Sequence, residues 1–467
     1  MLDNLSVQHT QKAERLSFLR GAVSPLKRMP PEILGRIFTL CSDGKPVVLP
    51  PNYSSGPRYP WTLGQVSSYW RKVLWDTPDV WRSLEVGMII SEDDTTTSTA
   101  LEIFSRVNTR LSLFTREEIG VNNPISTFIL KFADRFQHIS LCATIDFLFS
   151  FLALPSNSLK VLASIEFIFD GCDMFLPNAP NTATVLLTAI NLTKATFKKK
   201  EIGWRNFPID VQLLPWEQLT EISFTCLALT YGDAHSILRQ CKRLVSCTLH
   251  LENVPEYKMA PHCERIVMST LRTLEVFGGG YPPFLWEKFL SPLELPTLKS
   301  LLFRAADSLG DDTLSSFLAH SRFTLEILTL RTRYVQYVEP EFFYTLLGQL
   351  PTLRELAMLG HCISPSVFSL ARSHTQSESQ LLSKVQVFAC RIESPGLLAY
   401  ADFMERCVGW ETRGMTDVVL GCRDEPEFED ALQHFSRFKP AWEMSGRKVT
   451  VERLEMEHWN ERTDRRL

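Results

Sequence analysis

An α/β fold is predicted: a small all-helical domain at the N-terminus, followed by a long solenoid arc in which each unit is one strand plus one helix. Three observations predict it. Proline-initiated amphipathic segments and a tryptophan cluster mark the first 86 residues. A six-residue apolar pattern then returns every 25 to 29 residues. Between its copies lie helix-like segments with Asp, Pro or Ser near their starts, where helix N-termini favour them. A chain of 467 residues that is 45% hydrophobic and 22% charged has ample apolar material for such a core.

The first 25 residues read as a polar leader. MLDNLSVQHTQKAERL has no apolar core followed by small residues, so no signal peptide is expected. In RMPPEILGRIFTLC, Pro30 and Pro31 suit the first turn of a helix, and Ile33, Leu34, Ile37, Phe38 and Cys41 recur at helical spacing. The Pro-, Gly- and Ser-dense stretch 42–60 reads as a loop. Leu63, Val66, Trp70, Val73 and Leu74 form a second apolar face, and Thr77-Pro78 starts a third short helix. Trp61, Trp70, Trp75 and Trp81 all fall in this span, and they read as core because a domain this small needs large side chains to bury enough area. The helical domain is set at 26–86.

Residues 96–135, with a helical TALEIFSRV and an alternating strand RLSLFT, read as the N-terminal cap of the solenoid. The pattern L-x-x-L-x-L begins at Leu219, Leu244, Leu271, Leu298, Leu325, Leu353 and Leu382, with weaker copies at Phe136, Leu162, Leu187 and Met415, so irregular repeats are expected over 136–423. The intervening helices are DAHSILRQC, DDTLSSFLAH, PEFFYTLLGQL and PGLLAYADFMERC. Such a unit cannot bury its apolar face alone, so neighbours stack, with strands on the concave side. Residues 424–467, with EPEFEDALQHFSRF as a final helix, read as the C-terminal cap.

MPPEILGRIFTLC, the later LGQVSSYWRKVLWDTPDVW and the repeats behind them resemble the F-box proteins with leucine-rich repeats of basidiomycete-type fungi. Met29, Pro30, Glu32, Ile33, Leu34, Ile37, Phe38, Val66, Trp70, Arg71, Val80 and Trp81 fill the positions of the F-box motif. The resemblance implies that this domain docks a Skp-family adaptor and so joins a cullin-RING (SCF-type) ubiquitin ligase. On that reading the adaptor-binding residues are Met29, Pro30, Pro31, Glu32, Ile33, Leu34, Ile37, Phe38, Val66, Trp70 and Trp81, and the repeats bind a protein target. The insert 42–60 is longer than in animal forms. The repeats also lack a regular asparagine or cysteine after the strand: only Cys390 falls on the ninth position, with Cys362 one place late, so an irregular arc is expected.

The charge balance of 49 Lys+Arg against 53 Asp+Glu gives a net −4, which offers no basic field for nucleic acid. The longest apolar run, Phe147 to Leu154, is far short of the ~20 residues that span a bilayer, so no membrane partner is expected and the protein is placed in the cytoplasm and/or nucleus. Eleven scattered cysteines contain no C-x-x-C pair and read as buried reduced thiols. No catalytic or phosphate-binding motif is present, so neither enzymatic activity nor a cofactor is expected. Cys247, His250, His262 and Cys263 match no common zinc spacing. Gly278 to Gly280 reads as a turn and Lys198 to Lys200 as a solvated loop.

With strand positions 2, 5 and 7 projecting from the concave face, Arg272, Lys299, Glu326 and Arg354 form one column and Phe277, Arg304, Arg331 and Leu359 another. Arg272, Phe277, Lys299, Arg304, Arg331 and Arg354 are thus the candidate target-binding residues, suited to an acidic or phosphorylated segment. The competing reading is a solvated face neutralised by Glu275, Glu326 and Glu355. The function expected is that of a non-enzymatic substrate receptor. A repeat scaffold with no ligase role, and an enzyme with a dispersed site, are the alternatives.

Overall fold

The computed structural model describes residues 29–42, 44–49, 59–86, 110–115, 118–169, 184–199, 213–251, 264–278, 286–305, 311–321, 324–364, 385–392, 417–423 and 448–454, parts of 7–16, 98–105 and 432–437, and residue 367. The fold is mixed α/β and built on parallel strands. Two compact units divide the chain: Met1–Cys172 with Asn178–Leu192, and Asp173–Pro177 with Thr193–Leu467.

In the first unit, helix α1 (Pro31–Cys41) begins with Pro30 as N-cap and Pro31 as its first residue. Proline costs nothing there, because the first N–H groups of a helix have no internal acceptor. Strand β1 (Val47–Leu49) follows, then α2 (Trp61–Val66) and α3 (Ser68–Trp75). The face predicted from Leu63 to Leu74 is therefore broken at Ser67, whose extended backbone ends α2 and whose hydroxyl accepts from the Trp70 N–H to cap α3. A 3₁₀ turn at Pro78–Trp81 leads into β2 (Ser83–Val86). Then come β3 (Leu111–Thr115), α4 (Pro124–Lys131), β4 (Phe136–Cys142), α5 (Ile145–Leu152) and β5 (Ser164–Phe169). Of the predicted TALEIFSRV helix, the described residues 99, 102, 103 and 105 are helical.

Strands β1 to β5 pair in chain order, all in parallel. This corrects the expectation of an all-helical head and of a plain loop at 42–60, because β1 lies inside that loop and pairs with β2, Val47 opposite Leu84 and Leu49 opposite Val86. Val47, Leu49 and Leu84 are fully buried. A short apolar run between prolines still makes an edge strand, since only one of its sides must supply ladder bonds. The aromatic cluster forms, but of its four rings only Trp81 is buried while Trp61, Trp70 and Trp75 are half-buried: Trp75 and Trp81 stack at 4.4 Å, Trp61 meets both edge-on, and the Trp81 indole N–H donates to the Leu74 carbonyl at 2.9 Å. Gly35 lets α1 approach the 3₁₀ turn, for a Cβ there would stand 2.8 Å from Thr77 Oγ1.

The second unit repeats one theme. Its strands are β6 (Lys194–Lys199), β7 (Glu221–Leu229), β8 (Ser246–Leu251), β9 (Ile266–Val267), β10 (Thr273–Gly278), β11 (Leu293–Glu294), β12 (Ser300–Ala305), β13 (Ile327–Val338), β14 (Glu355–Ile363), β15 (Val387–Ile392), β16 (Asp417–Arg423) and β17 (Lys448–Leu454). Its helices are α6 (Tyr231–Gln240), α7 (Trp286–Leu290), α8 (Asp311–Ser321) and α9 (Pro340–Gln349). Three of the four predicted inter-strand helices fall on α6, α8 and α9, and PGLLAYADFMERC lies outside the described residues. All the strands except β9 and β11, which pair with each other, join in chain order and in parallel.

The register aligns the repeats on their fourth position. Cys247, Leu274, Leu301, Leu328 and Leu356 are successive partners, each fully buried. The predicted pattern therefore marks the inward face of each strand, but two copies were misframed. The copy assigned at Leu187 belongs at Leu192, because Ala195 pairs with Ile222. The copy assigned at Leu382 belongs at Val385, because Phe388 pairs with Leu356. Cys390 is then the sixth residue of its unit, a buried core position rather than a ninth-position residue. The C-terminal segment assigned as a cap carries a further strand, β17, paired with β16. Lys198 and Lys199 belong to β6, and Gly278 closes β10 beneath Trp286, where a Cβ would meet the ring at 2.7 Å.

The missing asparagine ladder has a substitute that sequence reading passed over. Thr270, Thr297 and Thr352 each precede the first leucine of a unit, and each hydroxyl donates to the carbonyl of the preceding unit's first leucine: Leu244 at 2.8 Å, Leu271 at 3.0 Å and Leu325 at 2.8 Å. Thr297→Val keeps the shape and deletes the donor. It is expected to cost about 1 kcal/mol, read as a lowered urea midpoint. An unchanged midpoint would assign these hydroxyls to surface chemistry only.

Candidate functional site

Helix α1 divides the predicted adaptor-binding residues between two faces. Leu34, Phe38 and Trp81 are buried in the head, with the Phe38 ring 5.2 Å from that of half-buried Trp70. Their place in the surface set is corrected: the motif names them because they build the domain, and their side chains are already covered. Ile33 (51% exposed), Ile37 (38%) and Leu40 (72%) recur at helical spacing on the opposite face, with Pro30, Pro31 and Glu32 also exposed before or beside them. Val66, at the end of α2, is 60% exposed, and Met29 is half-buried. Leu40 was missed, although it lies seven residues beyond Ile33 and that spacing could have found it.

Both ends of α1 are tied by phenols. Tyr69 Oη donates to the Met29 carbonyl at 2.7 Å, and Tyr59 Oη donates to the Phe38 carbonyl at 2.5 Å. Burial, with the Cys41 thiol nearby, pushes the Tyr59 phenol up to about 12, so it remains a donor at any ordinary pH.

The target-binding columns are only partly as predicted. Strands β8 and β10 alternate in burial so that positions 3, 5 and 7 face outward, while position 2 precedes the strand. The carbonyl of Arg272 accepts from both Lys299 and Ser300, and that of Lys299 from both Glu326 and Ile327, so the extra residue before each strand doubles up on one acceptor. Arg272, Lys299 and Arg354 are exposed there, but Lys299 is paired with Glu326 at 2.6 Å and this pairing holds the Glu326 carboxyl below its usual range. One basic group of this column is therefore neutralised, as the competing reading expected, while Arg272 and Arg354 stay exposed. In the other column Phe277, Arg304, Arg331 and Leu359 are register partners. Arg304 lies over the Phe277 ring at 5.8 Å and stays half-exposed, whereas Arg331 is only 5% exposed and is removed from the accessible set.

Within each unit, cross-strand polar pairs lie on the outward side of the strands. Ser140 donates to Glu166 at 2.6 Å in the first unit; in the second, Lys194 meets Glu221 at 2.7 Å and Thr248 donates to Glu275 at 3.2 Å. No group of three or more His, Cys, Asp or Glu residues among the described residues is placed to hold a metal. Cys247 points into the core and His250 to the other face, while His262 and Cys263 lie outside the described residues. Among the described residues, no helix is long and apolar enough to cross a membrane.

His235 on α6 is 2% exposed, its ring parallel to Phe289 at 5.5 Å and its Nε2 2.9 Å from the Phe289 carbonyl. Burial lowers its pKa, Arg239 lowers it further and the carbonyl contact opposes both. His138 and His250 are likewise lowered, first by burial. All three are neutral in the native state below the pH at which the unfolded chain takes up protons, so stability falls on acidification below the ordinary value of 6.5. The urea midpoint is expected to drop between pH 7.5 and 5.5, and His235→Gln to flatten that drop. A slope unaffected by the substitution would assign the proton uptake to other groups.

The geometry defines a class: a mixed α/β protein of stacked strand-plus-helix repeats, with an N-terminal head that presents one apolar helix face. No protein-family model matches the chain, and no curated protein matches it either.

Proposed function

We propose that the protein is an F-box protein with leucine-rich repeats, the substrate-recognition subunit of an SCF-type ubiquitin ligase. The observation that carries this reading is the exposed Ile33, Ile37 and Leu40 stripe on α1, directly after Met29-Pro30-Pro31-Glu32, with the opposite face of the helix already buried. An apolar helix face of this kind suits an interface in which a helix packs on a partner's groove. Residues 26–86 form the docking domain, with the insert 42–60 contributing a strand to it, and the repeats behind form a solenoid that holds a protein target. The chain itself transfers nothing; tethering the target beside a ligase-bound conjugating enzyme supplies the rate.

The outward strand face is the place for the target, and Arg304 on Phe277 is its most suitable basic group for an acidic or phosphorylated segment. No cofactor, metal, nucleic acid or membrane enters this function, and the compartment is cytoplasm and/or nucleus. The test is reconstitution: the purified chain mixed with a Skp-family adaptor and a cullin should elute with both as one complex. Failure to bind the adaptor would favour the alternative, a repeat scaffold with no ligase role.

A further inference from the structure

We infer that Tyr59 and Tyr69 are positioning residues for the exposed face of α1, their hydroxyls fixing the backbone of that helix near each of its ends. The inference rests on the adaptor-docking reading above.

The last carbonyls of a helix have no donor within it. At the end of α1 the Ser42 N–H turns to Thr39 O at 3.2 Å, and Tyr59 Oη, from the insert, donates to Phe38 O at 2.5 Å. The insert therefore caps the helix with a side chain. At the other end Met29 stands just outside the N-cap Pro30, and Tyr69 Oη of α3 donates to its carbonyl at 2.7 Å. The two held carbonyls bracket Ile33 and Ile37. Beneath them the Phe38 ring packs 5.2 Å from Trp70, next in sequence to Tyr69.

The insert is itself anchored. Its β1 residues Val47 and Leu49 are fully buried and paired with Leu84 and Val86 of β2. One segment thus joins the sheet at one point and the carbonyl of the docking helix at another. Ring packing by itself leaves a helix free to slide or turn by small amounts; two short hydrogen bonds to its backbone define where it lies along its axis. An interface set before binding loses less affinity to ordering on association. A substrate receptor depends further on such rigidity, because tethering accelerates a reaction only when the tethered groups are held in a productive arrangement.

The test compares Tyr59→Phe, Tyr69→Phe and their double variant, each of which keeps the ring and deletes only the hydroxyl. Tyr344→Phe is the control, since Tyr344 Oη makes the same kind of bond to Val367 O, at 2.6 Å, in the second unit. Binding to an immobilised Skp-family adaptor is measured at a temperature where circular dichroism shows every variant folded. Each single variant is expected to bind about threefold more weakly and the double about tenfold, through faster dissociation. Tyr344→Phe is expected to bind as wild type does. Wild-type affinity in the double variant overturns the inference alone, as does a loss in Tyr344→Phe equal to that of the double, which would make the effect one of general stability. A wild-type chain that does not bind the adaptor overturns the docking reading and this inference with it.

Discussion

Ile33→Asp is expected to abolish adaptor capture while leaving the protein folded. Ile33 is half-exposed on α1 and outside the buried core, so a carboxylate there can stay hydrated in the free chain. In a complex the same carboxylate would be stripped of water with no partner, a penalty of about 3 kcal/mol or more, or over a hundredfold in affinity. Ile37→Asp should act in the same way with a smaller margin, since that side chain is more covered in the free chain. The measurement is adaptor binding beside a thermal melt. Full affinity in a folded Ile33→Asp variant would remove α1 from the interface.

On the opposite face of the same helix the expected result reverses. Phe38 is completely buried against Trp70, so Phe38→Ala is expected to destabilise the first unit by about 3–5 kcal/mol. Phe38→Asp should leave the head unfolded, and any loss of adaptor binding in it would report on folding and not on the interface. Trp61, Trp70, Trp75 and Trp81 provide the readout, for their fluorescence in a urea titration follows this cluster. A midpoint shifted by less than a few tenths of a molar would mean that the pocket around Phe38 collapses to fill the cavity. Four residues separate Ile33 from the helical turn that carries Phe38, and the two predictions differ because different neighbours meet each face.

The repeats were legible because a strand's inward face is a local pattern. Leucine at positions 1 and 4 and an apolar residue at position 6 declare themselves within six residues, and the parallel register put Cys247, Leu274, Leu301, Leu328 and Leu356 in one row as their spacing implied. The pattern failed where apolar residues were too dense to give a unique frame, as at Leu187 and Leu382. There the backbone ladder chose the frame, Leu192 and Val385, since the fourth-position residues of those units, Ala195 and Phe388, pair with the fourth positions of the strands beside them.

The candidate site was harder to read, for a physical reason that recurs in each miss. Helical spacing announces that α1 is amphipathic, but Ile33, Leu34, Ile37 and Phe38 are all apolar, and sequence alone does not say which pair the head covers. Packing against α3 and the 3₁₀ turn that carries Trp81 buried Leu34 and Phe38 and left Ile33, Ile37 and Leu40 in solvent. Likewise, Arg304 and Arg331 hold the same strand position, yet one is half-exposed and the other buried. By itself the sequence determined the helices of the head and most of the repeat strands, the period of about 27 residues and the inward face of most strands, because these depend on near neighbours along the chain. The tertiary structure decided which apolar face stays open, which charges are paired, and where Val47–Leu49 and Tyr59 attach, because each depends on a partner distant in sequence.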